Sequence, residues 1–250
     1  MQHLIKFVLL FTLSAFMASQ QKKTKVFLAG DSTIAIKEKK AYPETGWGMP
    51  FVHFFDSTVQ IENRAKNGRS TRTFIEEGLW QGVINDVQPG DYVFIQFGHN
   101  DESEEKKDRY TTPEQYKRNL KHFIDESRAK GATPVLLTPV SRRRFKDGKA
   151  LETHAQYSNL VREVAAEANV AFIDLDTKSR ELYQQLGEEG SKLLFLQLQP
   201  GDHPNYPEGK VDNTHFNELG ARLIAQIVLS QIKAQNLNLA QQIVKPVVKK

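Results

Sequence analysis

The chain has 250 residues, 39% hydrophobic and 26% charged, with no cysteine and a formal net charge of +4. That balance fits one globular domain, and the lack of any repeat or low-complexity tract excludes solenoid and disordered readings. The missing thiols exclude a disulfide framework and a thiol-linked lipid anchor. The mild positive charge comes without a DNA-binding motif or interleaved aromatics, so nucleic acid is not an expected partner.

In chain order, residues 1–20 (MQHLIKFVLLFTLSAFMASQ) place Lys6 before an apolar run that ends in small and polar residues. The run is too short to span a bilayer comfortably and reads as a removable export signal. The expectation is a secreted or periplasmic protein with no stable membrane anchor. Residues 25–32 (KVFLAGDS) follow, in which Val26, Phe27, Leu28 and Ala29 predict a short strand buried on both faces. Gly30 and Asp31 end that strand, and Ser32 stands just beyond it. The segment GWGMPFVHFF starts a helix with Trp47 near its mouth, and residues 58–62 (TVQIE) predict a second strand. A loop rich in Asn, Gly and Arg (NRAKNGRST) then leads to a helix beginning near Arg72.

Residues 91–97 (DYVFIQF) predict a third strand that runs into Gly98, His99, Asn100 and Asp101. A helix over 112–129 has Tyr116, Leu120, Phe123 and Ile124 at helical spacing and Pro113 in its first turn. Residues 133–138 and 170–175 predict strands four and five, separated by a basic loop with Arg142, Arg143 and Arg144 and by a helix over 151–168. Helical material over 177–186 precedes an irregular loop over 197–214, dense in Pro, Gly, Asp and His. The last helix, over 217–233, sets Leu219, Leu223, Ile224, Ile227 and Val228 on one face. The tail, residues 236–250, is expected to be peripheral, which leaves 21–235 as the domain. Strands alternating with helices predict a flavodoxin-like, five-stranded parallel sheet in a three-layer α/β/α sandwich.

The residue types suggest a chemistry. A loop serine is inert at neutral pH unless a base takes its proton. His215, in the segment DNTHF before the final helix, is the candidate base for Ser32. Asp212, three positions earlier, can fix the imidazole tautomer. Taken alone, Asp212 reads rather as a complement to the helix N-terminus, His215 as a surface residue and Gly-Asp-Ser as a polar turn. Acyl transfer also needs donors aimed at a developing oxyanion: the backbone N–H groups of Ser32 and Gly68 and the side-chain amide of Asn100 are candidates. No metal or other cofactor is needed.

Four dispersed blocks carry a resemblance. In order they are Gly30-Asp31-Ser32, Gly68, Gly98-His99-Asn100-Asp101 and Asp212-Asn213-Thr214-His215. The chain resembles the SGNH, or GDSL-type, hydrolases, and within them its phrases VFLAGDST, NGRSTRTF, IQFGHND and DNTHFNELGA are most similar to the rhamnogalacturonan acetylesterases. The resemblance implies Ser32 as nucleophile, His215 as general base and then acid, and Asp212 as its orienter. It also implies an oxyanion hole from Ser32, Gly68 and Asn100. The expected substrate is an acetylated plant cell-wall polysaccharide, most readily rhamnogalacturonan, acted on by a monomer. Arg69 and Arg72 are candidates to grip galacturonate carboxylates, against surface ion pairing. Trp47 reads as a sugar-facing wall or a core aromatic, and His99 as a substrate contact or a structural hydrogen bond. Rival readings are an acetyl xylan or lipid esterase and a non-catalytic carbohydrate-binding protein.

Overall fold

Thr24–Gly30 form strand β1, whose alternate side chains serve two cores: Val26 and Leu28 point to one, Phe27 and Ala29 to the other. A strand with no polar face must lie inside a sheet covered on both sides. The computed structural model describes residues 23–245 and shows that arrangement. β2 (Val59–Asn63), β3 (Tyr92–Gln96), β4 (Thr133–Leu137) and, after a two-residue hairpin of β5 (Phe145–Lys146) and β6 (Lys149–Ala150), β7 (Ala171–Ile173) complete the elements of the central region. The central sheet has five strands in the order β2-β1-β3-β4-β7, parallel throughout. This is the expected α/β sandwich.

Helices α1 (Gly48–Phe51), α6 (Leu175–Gly190) and α7 (Glu218–Ala234) pack on the face of Val26, Leu28 and Phe94. Helices α2 (Thr71–Glu76), α3 (Leu79–Asp86), α4 (Pro113–Ala129) and α5 (Ala155–Glu167) cover the face of Phe27, Val93 and Ile95. Their starts follow capping chemistry. Ser70 and Thr73 form a capping box on α2, and the side chains of Thr112, Asp174 and Asn217 accept the first free N–H groups of α4, α6 and α7.

Three expectations are corrected. The stretch 197–214 is not all irregular: Phe195–Leu198 (β8) and Lys210–Phe216 (β9) form an antiparallel hairpin, so Asp212 and His215 sit on a strand. On α7, Ile224 and Val228 are buried as expected and Leu223 and Ile227 pack partly against the same core, but Leu219 is 49% exposed and Ala221, Ala225, Leu229 and Ile232 complete the buried stripe. Gly220 lies against the Leu194 carbonyl, where no side chain fits. Finally, the described part of the tail is docked rather than peripheral. Leu239 is fully buried, Asp56 N–H donates to the Gln242 carbonyl, and Val244 N–H donates to the Phe54 carbonyl. The expected export signal lies outside the described residues.

The order β2-β1-β3-β4-β7 reverses its winding between β1 and β3, and the crevice beyond the carboxyl ends of those strands is where such sheets hold ligands. Ser32 follows β1 and Asn100 follows β3. The two strands approach closely at that end: a Cβ on Gly30 would lie 2.5 Å from the Gln96 carbonyl oxygen, so glycine is required there.

Candidate active site

The turn after β1 is built by Asp31. Its buried carboxylate accepts the Thr33 N–H at 2.9 Å and the Thr33 hydroxyl at 2.8 Å, which folds the chain so that Ser32 stands at the tip. The second carboxylate oxygen lies 3.2 Å from His99 Nδ1. Burial opposes ionisation of Asp31, but His99 and the two Thr33 donors outweigh it and hold this carboxyl below its ordinary range. His99 is buried as well, and that burial pushes its pKa down.

Ser32 Oγ lies 3.0 Å from His215 Nε2, although 183 positions separate the two residues. On the other side of the ring, His215 Nδ1 is 2.8 Å from Asp212 Oδ2. The remaining Asp212 oxygen accepts the Thr214 N–H at 2.7 Å and the His215 N–H at 3.0 Å. This local turn interrupts the β8–β9 ladder, whose register shifts between Phe195 and Leu196. A bulge of that kind re-aims side chains off the pleat. It lets one strand present both carboxylate and imidazole to the serine. Burial would raise the Asp212 pKa, but hydrogen bonds and charge from His215, with the two backbone donors, hold it well below the carboxylate range. A carboxylate facing Nδ1 keeps the ring proton there and leaves the Nε2 lone pair for the Ser32 hydroxyl.

The other blocks converge on the same place. The loop carrying Gly68 is tied to β1 by bonds from Arg64 N–H to the Leu28 carbonyl and from Lys66 N–H to the Gly30 carbonyl. It is tied to the end of β3 by Asn100, whose side-chain amide donates to the Arg69 carbonyl at 3.0 Å. Gly68 has φ +75°, a left-handed turn that suits glycine. Asp101, next to Asn100, accepts the Thr71 N–H and hydroxyl at 2.9 and 2.6 Å and so joins this end of the sheet to the start of α2. Burial pushes Asp101 up to about 7, with the Thr71 bonds opposing.

Two expected substrate contacts are corrected. Trp47 is fully buried, and its indole N–H donates to Gln96 Oε1 at 2.9 Å, while the Gln96 amide donates to the Thr33 hydroxyl at 2.6 Å. It therefore supports the serine turn from within the core and offers no face to a sugar. His99 is interior too, bonded to Asp31 and edge-on to His154 at 4.3 Å between ring centroids. Arg72 donates to the carbonyls of Lys107 and Tyr110, so its guanidinium holds the loop before α4. Arg69 bonds Glu77 and the Asn67 carbonyl.

Several residues at the site escaped the sequence reading. Lys37 is buried, and its ammonium contacts the Ser32 carbonyl at 2.5 Å, Asn67 Oδ1 at 2.9 Å and Glu44 at 2.7 Å. A single lysine in a polar stretch gives no sequence signal. The basic run also resolves into roles. Arg142 donates to the Thr214 hydroxyl at 2.8 Å, and Arg143 braces Asn213 through both its backbone N–H and its guanidinium, at 2.8 and 3.1 Å. Both hold the strand that carries Asp212 and His215. Among the described residues no group of three or more His, Cys, Asp or Glu side chains is placed to hold a metal ion.

Comparison with known proteins agrees with this architecture. A model of the GDSL-like lipase/acylhydrolase family matches residues 28–223. The chain is 42% identical over 225 residues to the rhamnogalacturonan acetylesterase RhgT of Bacillus subtilis, covering 90% of this chain and 96% of that one. Among solved structures it is similar to YxiM of Bacillus subtilis, with a TM-score of 0.74 and 25% identity over 87% of this chain and 58% of that one. It also shares the fold of the acetylxylan esterase Axe2 of Geobacillus stearothermophilus, with a TM-score of 0.60 and 20% identity over 84% of this chain and 94% of that one. With a family match over most of its length and a serine, an imidazole and a carboxylate aligned at the sheet's carboxyl edge, the chain belongs to the GDSL-like lipase/acylhydrolase family and is a carboxylic ester hydrolase.

Proposed function

We propose that this protein is a carbohydrate acetylesterase that removes acetyl groups from rhamnogalacturonan, and that Ser32, His215 and Asp212 carry the reaction. The observation that carries the chemistry is the 3.0 Å contact between Ser32 Oγ and His215 Nε2, with Asp212 behind the ring. Support for the substrate class comes from the 42% identity to RhgT over nearly the whole chain.

The Ser32 hydroxyl donates its proton to His215 Nε2 as the oxygen attacks the acetyl carbonyl. Negative charge collects on the carbonyl oxygen, where the N–H groups of Ser32 and Gly68 and the Asn100 amide receive it. One such donor lowers the barrier by about 3 kcal/mol. His215, now an imidazolium stabilised by Asp212, gives its proton to the departing sugar oxygen and leaves acetyl-Ser32. Water then gives a proton to His215 and attacks the acetyl-enzyme, and His215 returns that proton to the departing Ser32 oxygen as acetate is released.

The substrate polymer lies outside cells, and the Lys6-led apolar run at the start of the chain supports export. Acetate release by wild type and Ser32→Ala from acetylated rhamnogalacturonan, acetyl xylan and a long-chain acyl ester tests the reading. We expect release chiefly from the pectic substrate and loss of it in Ser32→Ala. Preference for xylan or for the long-chain ester overturns the substrate assignment, and an active Ser32→Ala overturns the mechanism.

A further inference from the structure

Asn67 has both of its oxygens held by cations. Lys37 Nζ is 2.9 Å from the side-chain oxygen, and Arg69 Nη1 donates to the main-chain oxygen at 2.9 Å. The same lysine grips the Ser32 carbonyl at 2.5 Å, and Glu44 at 2.7 Å balances its charge. Arg69 is itself anchored by Glu77 at 2.9 Å, and its own carbonyl accepts the Asn100 amide at 3.0 Å.

The Asn67 carbonyl and the Gly68 N–H belong to one planar trans peptide, so they point in opposite directions and turn together. Gly68 sits at φ +75°, where the missing side chain leaves that plane free to rotate unless something holds it. The guanidinium on the carbonyl fixes the plane. It also polarises the peptide, which strengthens the N–H as a donor.

We propose that Arg69 is a positioning residue for the oxyanion hole. Its side chain fixes the peptide that presents the Gly68 N–H, its carbonyl orients the Asn100 amide, and Lys37 ties Asn67 to the Ser32 turn. The inference rests on the proposed roles of Ser32, Gly68 and Asn100. It assigns Arg69 to the geometry of the hole and not to a uronate carboxylate.

Kinetics of Arg69→Gln and Arg69→Lys on p-nitrophenyl acetate and on acetylated rhamnogalacturonan oligosaccharides test it. Losing an oxyanion donor outright costs at least about 100-fold, and loosening two of them is expected to cost about tenfold. The expected result for Arg69→Gln is a fall of that size in kcat, equal on both substrates, with KM unchanged. Arg69→Lys recovers part of the loss because an ammonium can still reach a carbonyl. In the amide spectrum of Arg69→Gln, the Gly68 resonance shifts while those of the distant α7 residues do not. A loss confined to the pectic substrate identifies a substrate contact and overturns the proposal. An unchanged kcat, a rise in KM alone or an unmoved Gly68 resonance overturns it equally. Ser32→Ala run alongside separates the two levels: if that variant hydrolyses p-nitrophenyl acetate, the acetylesterase reading has failed, whatever Arg69 does.

Discussion

Asp212→Asn exchanges one atom, and the geometry dictates what that does. The Asp212 carboxylate serves three donors, the N–H groups of Thr214 and His215 on one oxygen and His215 Nδ1 on the other, at 2.7, 3.0 and 2.8 Å. An asparagine cannot satisfy all three. With its oxygen toward the two backbone groups, its NH2 faces Nδ1, so the ring must carry its proton on Nε2 and meets the Ser32 hydroxyl as a donor. Flipping the amide restores the ring but sets NH2 against two N–H groups, which leaves two part-buried donors unpaired at about 1 kcal/mol or more each. The first arrangement wins, and the base is lost. Such a tautomer error costs about ten-thousand-fold in kcat, or about 5 kcal/mol. Turnover of p-nitrophenyl acetate at pH 8, with a thermal melt to confirm the fold, is the assay. A loss smaller than tenfold in a folded variant refutes the reasoning, because Asp212 would then not set the tautomer.

Two further predictions concern stability. Trp47→Phe leaves Gln96 Oε1 without its 2.9 Å donor in the core, so unfolding free energy should fall by about 1–3 kcal/mol while KM for oligosaccharide stays constant; a rise in KM with no change in melting temperature would return Trp47 to the substrate. Asp101, pushed up to about 7 by burial, binds its proton more tightly folded than unfolded. That contribution is complete below the ordinary carboxylate pKa and is lost as pH rises through 7. Compared with Asp101→Asn, wild type should therefore lose on the order of 4 kcal/mol between pH 4 and pH 7; denaturant unfolding of both proteins at each pH measures it, and a difference that is flat or grows with pH contradicts the sign.

The central layer was legible because its strands are short apolar runs ended by turn residues. Val26 to Ala29 and Tyr92 to Ile95 are buried on both faces, and nothing polar blurs them. The hairpin of β8 and β9 was hidden for the opposite reason. β9 reads KVDNTHF, with Val211 exposed and only Phe216 buried, and the connection from β8 is full of Pro and Gly. Its pairing comes from tertiary context, not from alternation. The separation of Ser32 from His215 in sequence could be bridged on paper only by motif order, since no local pattern encodes a contact across 183 positions. Lys37 and Arg69 were obscured by the same limit. Whether a cation faces solvent, a ligand or a backbone carbonyl depends on the loop around it, and composition is silent on that.

The central claim is that Ser32 takes the acetyl group from the ester. Rapid quenching during turnover of an acetyl ester, followed by peptide mapping by mass spectrometry, measures this directly. The account predicts an acetyl group on the peptide containing Ser32, absent from Ser32→Ala, whose acetate release is also lost. Acetyl on another residue, or sustained acetate release by Ser32→Ala, would contradict it.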